Sequence, residues 1–160
     1  MHPTLRYGLL LGLGIAAWGL VFNLLGWHRQ PSLYILRFIL VVVAYQVAVL
    51  IWALRRTAQK GGYGRQVWMG VCISLLASLI VYAASILFTT VIFPTHIHES
   101  VEAGRQLMAA QGRSAEEIEA FVKAQTPMQT PRASAMAGVF GTVMTGLFTS
   151  LIAAVWFRRK

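Results

Sequence analysis

The 160-residue sequence predicts an all-α integral membrane protein: a four-transmembrane-helix bundle with a short extramembrane helical hairpin between spans three and four. Four long apolar stretches with basic flanks support this fold class, and they cover residues 7–27, 33–54, 66–93 and 134–157. About 20 helical residues cross the hydrocarbon core of a bilayer. Apolar residues make up 57% of the chain and charged residues only 12%, too few to cover the exterior of a soluble protein. We therefore treat residues 1–160 as a single membrane domain.

Spans one to three have recognisable boundaries. Span one holds no charged side chain between Arg6 and His28, and it is longer than the roughly 7–15 apolar residues of a secretion signal, so we interpret it as a retained span. Pro31 and Ser32 precede span two, and Ser32 is placed to cap it. Gly61, Gly62 and Gly64 form a turn before span three. Pro94 is expected to end span three because its ring removes a backbone donor.

The segment from about residue 95 to 131 is the only substantial part of the sequence expected outside the membrane. Its residue pattern predicts two short amphipathic helices. Apolar residues recur at helical spacing from Ile97 to Met108, and Gly112 suits a helix stop. Ser114 and Glu117 have the spacing of a capping box that would begin the second helix. The apolar faces of these helices are expected to meet each other, rest on the membrane or bind a partner.

The distribution of charge predicts the orientation. With alternating spans, both termini and the 55–65 loop share one side, which carries eight of the fourteen lysines and arginines. Basic residues concentrate on cytoplasmic loops, so both termini are expected in the cytoplasm, with these residues contacting anionic lipid headgroups. All five acidic residues lie in the hairpin segment. Because the basic residues sit at span ends, the net charge of +9 does not indicate nucleic-acid binding.

Stripes of small residues predict how the spans pack, because close backbone approach drives helix association in lipid. Spans one, three and four carry such stripes, and the packing residues that we predict are Gly8, Gly12, Gly19, Gly70, Ser74, Ser78, Gly138, Gly141 and Thr145. We therefore expect spans one, three and four to pack tightly, whereas span two, which has no glycine, is expected to present more surface to lipid or to another subunit. Replacing Gly12 or Gly141 with leucine is expected to destabilise the protein in detergent.

Few residues suggest chemistry, and we predict no catalytic residue and no cofactor. His96, His98 and Glu99 are weak candidates for a zinc site, because residues two apart on a helix point to different faces. Cys72 is the only cysteine and has no adjacent base. The polar residues within the spans, such as Asn23 and the serines and threonines, are expected to bond their own or a neighbouring helix.

Several short motifs resemble one family of small four-span bacterial membrane proteins, domain of unknown function 4199 (DUF4199). They are Arg6-Tyr7-Gly8-Leu9, Lys60-Gly61-Gly62-Tyr63-Gly64, Gly70, Tyr82 with Phe93-Pro94, Glu99, Thr126-Pro127 and the Gly138–Gly146 region. The resemblance covers most of the chain and implies a four-helix protein of the bacterial inner membrane. It implies no activity or ligand, so no functional residue is carried over.

The expected function is that of a non-enzymatic accessory or interaction subunit of an envelope component. Its partners would be the bilayer and either another membrane protein or further copies of the chain. The alternative is a small transporter or channel whose path is lined by the Ser and Thr residues of spans three and four. The spans contain no carboxylate, which disfavours a carrier driven by proton or ion coupling. A third class, a membrane enzyme using His96, His98 and Glu99, would require a bound metal.

Overall fold

The computed structural model describes residues 2–57 and 62–157. The motif residue Lys60, the predicted turn residue Gly61 and the basic tail at 158–160 lie outside the described residues. The α-helices are α1 (Pro3–Leu24), α2 (Pro31–Tyr34), α3 (Leu40–Thr57), α4 (Tyr63–Leu87), α5 (His96–Ala110), α6 (Ala115–Gln125) and α7 (Pro131–Phe157). No strand occurs in the described ranges, and the all-helical membrane fold predicted from the sequence is confirmed.

Four helical segments are long and apolar enough to cross a membrane. Span one is α1 and span four is α7. Span two runs from Pro31 to Thr57, with a π-helical stretch at Ile35–Ile39 joining α2 to α3. Span three runs from Tyr63 to Ile92, because α4 continues into a π-helical turn at Phe88–Ile92. We call one end of the bundle the terminal side, where α1 and α4 begin and α3 and α7 end. The other end, which carries α5 and α6, is the hairpin side.

Local sequence signals account for most helix boundaries. Ser114 accepts a hydrogen bond from the amide of Glu117, whose carboxylate accepts one from the amide of Ser114, so the predicted capping box is confirmed. Gly112 follows α5 with a φ of 78°, a left-handed conformation that favours glycine. The prediction that Ser32 caps span two is wrong: the helix begins at Pro31, whose fixed φ suits the first helical position.

The four spans form a ring in which span three packs against spans one and four, and span two packs against the same two neighbours from the opposite side. Few residues are in contact between spans one and four, which lie across the ring from each other. In an 18-residue apolar part of each span, the share of residues buried inside the bundle is 18% for span two. It is 33%, 22% and 28% for spans one, three and four. Span two is thus the most lipid-facing segment, in agreement with its lack of glycine. The expectation that spans one and four pack tightly against each other is wrong, because spans two and three lie between them.

Span one approaches both of its neighbours at glycines. An ideal Cβ on Gly8 would lie 2.9 Å from the Cβ of Leu76, and one on Gly12 would lie 2.8 Å from the Cβ of Ile80. On the side of span two, the ring of Tyr45 occupies the space beside Gly14, and its hydroxyl donates a 2.8 Å hydrogen bond to a carbonyl of span one. Gly14 is not among the packing residues predicted from the sequence.

Spans three and four interlock through two glycine–serine pairs that run in opposite directions. The side chain of Ser150 in span four fills the space beside Gly70, and the side chain of Ser74 in span three fills the space beside Gly146. Each serine hydroxyl donates to the carbonyl four residues earlier in its own helix, Ser74 to Gly70 at 3.0 Å and Ser150 to Gly146 at 2.6 Å. Ser74 and Ser150 are fully buried. We call this contact the glycine–serine interlock.

The remaining predicted packing residues occupy different surroundings. A Cβ on Gly138 would lie 3.3 Å from Val81, and one on Gly19 would lie 3.7 Å from Phe88. Ser78 is buried and donates to the carbonyl of Leu75. Gly141 differs from the expectation, because a Cβ there would meet nothing within 4 Å. It faces a cavity that Thr145 also lines, and so it is not a close helix contact.

We predict that Gly146→Ala lowers the free energy of unfolding by about 1–3 kcal/mol, since its Cβ would lie 2.5 Å from the Cβ of Ser74 in a closely packed contact. Adding Ser74→Gly removes the overlap and should restore part of the loss, with Ser74→Gly alone as the control. Unfolding titrations in mixed micelles measure all three variants. Equal stability of Gly146→Ala and the wild type would contradict the interlock.

The two leucine substitutions are now expected to diverge. Gly12→Leu should lower the melting temperature in detergent, because its Cβ would also lie 3.0 Å from the carbonyl oxygen of Ala77. Gly141→Leu should leave the melting temperature unchanged or raise it, because the side chain enters open space and glycine is a poor helix former. A similar fall in both variants would show that the neighbourhood of Gly141 is more crowded than the structure indicates.

Candidate functional site

A cavity of about 550 Å³ lies between the four spans in the hairpin-side half of the bundle. Every span contributes to its wall, as does the first residue of α5. The lining residues are Ile15, Ala16, Gly19, Phe22, Asn23, Tyr34, Phe38, Ile39, Val42, Val43, Gln46, Val81, Ala84, Ser85, Phe88, Thr89, Phe93, His96, Ser134, Ala137, Gly138, Gly141, Thr142 and Thr145. Its volume falls within the range of small-molecule sites in proteins, about 300–1,000 Å³.

The wall of the cavity is mainly apolar and carries no charged lysine, arginine, aspartate or glutamate among its lining residues. Aromatic and aliphatic side chains of spans one to three form most of it. Three polar residues form its inner end, which we call the floor: Gln46 from span two, and Thr142 and Thr145 from span four. The other polar residues of the lining are Asn23, Ser85, Thr89, Ser134 and His96. A mostly apolar pocket with a few convergent polar groups is typical of a ligand site.

The floor groups have unused hydrogen-bonding capacity, unlike most hydroxyls of the bundle. Thr57, Ser74, Thr89 and Ser150 each donate to the carbonyl four residues earlier in their own helix. In the part of the chain that the structure describes, no hydrogen bond is made by the hydroxyls of cavity-lining Thr142 and Thr145. Both hydroxyls are therefore available to hydrogen-bond a ligand or water in the cavity.

Gln46 joins the floor to the opposite helix. Its side chain is only 1% exposed, and its Nε2 donates a 2.6 Å hydrogen bond to the carbonyl oxygen of Thr142. Among the described residues, the amide oxygen Oε1 has no partner. The side chain therefore ties span two to span four while keeping one acceptor and one N–H for another molecule.

The cavity is closed towards the terminal side and less closed between spans two and four. Below the floor, the glycine–serine interlock brings spans three and four into direct contact at Gly146 and Ser74. At the hairpin side, few residues of α2 and the π-helical stretch contact span four. Lining residues of both spans are exposed there, namely Ile39, Val43, Ala137 and Gly141. The cavity is therefore open to the outside of the bundle between spans two and four.

A second polar site lies above the cavity, where the 3₁₀ turn Trp27–Arg29 meets the start of α5. Glu99 accepts hydrogen bonds on one oxygen from Nε2 of His28 and Nε of Arg29, both at 2.8 Å. Its other oxygen accepts a 2.8 Å hydrogen bond from the hydroxyl of Thr95. We call these residues the Glu99 cluster. It fastens the hairpin to the connection between spans one and two.

The electrostatics of the Glu99 cluster favour its charged form. Hydrogen bonds from Arg29, His28 and Thr95 lower the pKa of Glu99 from 4.5 to about 2, and the carboxylate in turn raises the pKa of Arg29. His96 packs beside His28 with ring centroids 4.8 Å apart. Burial and the neighbouring imidazole of His28 lower the pKa of His96 below 6.5. The neutral imidazole of His96 thus forms part of the hairpin-side wall of the cavity.

The three metal candidates from the sequence do not converge. His98 is exposed and takes no part in the Glu99 cluster, as its spacing from His96 indicated. Across residues 2–57 and 62–157, no group of three or more His, Cys, Asp or Glu side chains is arranged to hold a metal ion. The structure instead pairs Glu99 with Arg29 and His28. The alternation of spans predicts His28 on the same side as Glu99, but only as a conceivable metal ligand, and the sequence predicts no contact between Glu99 and Arg29. The sequence did hold a signal for this pairing, because all five acidic residues lie in one loop and the loop between spans one and two contains His28 and Arg29.

The shifted pKa of Glu99 predicts a loss of stability in acid. Ionised Glu99 stabilises the fold fully above pH 4.5, and this contribution falls as the pH drops from 4.5 through about 2, because the unfolded chain binds the proton first. Glu99→Gln should lower the melting temperature at neutral pH and flatten its fall across that acid range. Melting curves of both proteins against pH measure this. Parallel curves for the two proteins would contradict the ion pairing.

Comparison with known proteins identifies a family. The family model described as "Protein of unknown function (DUF4199)" matches residues 6–159, nearly the whole chain. No curated protein and no solved structure matches the chain. The match agrees with the resemblance noted in the motifs of spans one, three and four. The four-span protein described above therefore belongs to the DUF4199 family.

Proposed function

We propose that this protein binds a mainly apolar, membrane-soluble molecule in the cavity between its four spans and does so without catalysing a reaction. The observation that supports this most is the cavity itself, which has a volume of about 550 Å³, a mainly apolar wall and a polar floor. A void of this size deprives the side chains around it of packing contacts. An occupant would restore those contacts and satisfy the floor groups.

The polar residues of the site support binding over acid–base or nucleophilic catalysis. The floor consists of an amide and two hydroxyls, which donate and accept hydrogen bonds without changing protonation near neutral pH. The imidazole of His96 lines the opposite, hairpin-side end of the cavity, and Cys72 is not among the lining residues. A serine or threonine nucleophile requires a base within hydrogen-bonding reach, and the floor residues include none.

Transport is a second candidate function, favoured by one observation. Part of the Ser and Thr path predicted for spans three and four lines the cavity, namely Ser85, Thr142 and Thr145. Ser74, Ser78 and Thr149 of the same path are not among the lining residues. A continuous path would have to pass the glycine–serine interlock, so transport would require spans three and four to separate. Flux of a small solute into proteoliposomes that Thr145→Leu abolishes would support transport over simple binding.

The wider role that we propose is that of an accessory subunit of an envelope component in the bacterial inner membrane, with both termini in the cytoplasm. Arg6, Arg55, Arg56 and Arg65 at the terminal side support that orientation, because basic residues favour the cytoplasmic face. The lipid-facing surface of span two is available to a membrane partner or a second copy of the chain. Crosslinking in native membranes that recovered no other protein would count against the accessory role.

Filling the cavity should prevent binding. We predict that Gly141→Phe lowers labelling of the cavity by a photoactivatable long-chain alcohol about tenfold, corresponding to about 1.4 kcal/mol of binding free energy. The purified full-length protein is labelled in phosphatidylcholine vesicles, and the labelled residues are mapped by mass spectrometry. Met136→Phe is the matched control, since it adds the same ring to span four at an exposed position outside the cavity.

Equal labelling of Gly141→Phe and Met136→Phe would show that the probe associates with the outer surface of the bundle. Absence of label from cavity residues in the wild-type protein would overturn the binding function altogether.

A further inference from the structure

We infer that the ligand is an uncharged amphiphile whose buried end carries a carbonyl or hydroxyl oxygen, held at the floor by Gln46 and Thr142, with its apolar chain directed towards the gap between spans two and four. This inference rests on the proposed binding function and specifies its ligand. A long-chain alcohol and a quinone with an isoprenoid tail share this chemistry.

The floor recognises a polar atom because its groups are buried and incompletely bonded. Gln46 is 1% exposed and Thr142 is 5% exposed, yet among the described residues neither the Oε1 of Gln46 nor the hydroxyl of Thr142 has a hydrogen-bond partner. The Nε2 of Gln46 uses one hydrogen in its 2.6 Å bond to the carbonyl of Thr142 and retains the other. An oxygen placed between them could accept from both side chains.

The absence of charge along the lining residues indicates a neutral ligand. A carboxylate or phosphate at the floor would lie deep within the spans without a cation beside it, and burying an unpaired charge in a membrane is costly. Two arginines at the hairpin side of the described chain are already engaged. Arg29 bonds Glu99, while Arg37 bonds Gln30 and lies over the ring of Trp27.

The shape of the cavity sets the direction of the apolar part. Below the floor, the interlock at Gly146 leaves no space for a chain. Above the floor, exposed Ile39 and Val43 of span two face exposed Ala137 and Gly141 of span four across the lining of the cavity. A ligand whose oxygen contacts Thr142 therefore extends its chain between these residues into the bilayer.

The inference is tested with two photoactivatable probes of equal chain length, one ending in an alcohol and one in a carboxylate, added to the full-length protein in phosphatidylcholine vesicles above pH 8. We expect the alcohol to label cavity residues at least tenfold more than the carboxylate. Thr142→Val, which keeps the shape and removes the hydroxyl, should weaken alcohol labelling several-fold. A short-tailed quinone should compete with the alcohol, whereas a plain alkane of equal length should compete poorly.

Gln46→Leu is the second variant, and Thr149→Val is the matched control, because Thr149 is a buried threonine of span four outside the cavity. If Gln46→Leu does not fold, Thr142→Val decides alone. Equal labelling by both probes, or unchanged alcohol labelling in Thr142→Val, would overturn the inference while Gly141→Phe still reports cavity binding. Failure of every probe to label the wild-type cavity would instead overturn the proposed function.

Discussion

The glycine–serine interlock between spans three and four is the contact on which the rest of the bundle depends. Ser74 and Ser150 each occupy the space that a glycine leaves open on the facing helix, so the two helices can pack closely. Lipid provides little hydrophobic drive for helices to associate, and such close contacts compensate by dispersion. The hydroxyls are satisfied within their own helices, which allows polar side chains to pack at this depth.

This tight contact in the terminal-side half has a consequence in the other half. Spans three and four are joined at Gly146, but Gly141, little more than one turn away, meets no neighbour within 4 Å. Span two, rich in branched and aromatic side chains, contacts span four through α3, while its outer portion makes few contacts with that span. Because the helices are in contact at the terminal side and farther apart at the hairpin side, a cavity remains between them. The hydrogen bond from Gln46 to Thr142 lies at the boundary between these two halves.

The Glu99 cluster supports the spread end from outside the spans. Glu99 belongs to α5, the helix that follows span three. Its carboxylate accepts hydrogen bonds from His28 and Arg29 in the turn after span one. The same helix begins at His96, which lines the cavity. The hairpin thus covers the hairpin-side end of the cavity and is fastened by charge-assisted hydrogen bonds, which are stronger than bonds between neutral groups.

The sequence alone determined the features that depend on local physics: four apolar helices, the stop at Pro94, the capping box at Ser114, and the lipid-facing character of span two. Apolar length and short-range backbone preferences suffice for these. It identified Ser74 and Gly70 as packing residues but not their partners, and it gave Gly141 and Gly12 the same role. Only the tertiary structure distinguished them, because whether a glycine faces a neighbouring helix or a cavity depends on how the spans are rotated and tilted. The pairing of Glu99 with Arg29, about 70 residues away, was likewise decided by the fold that brings two hairpin-side turns together.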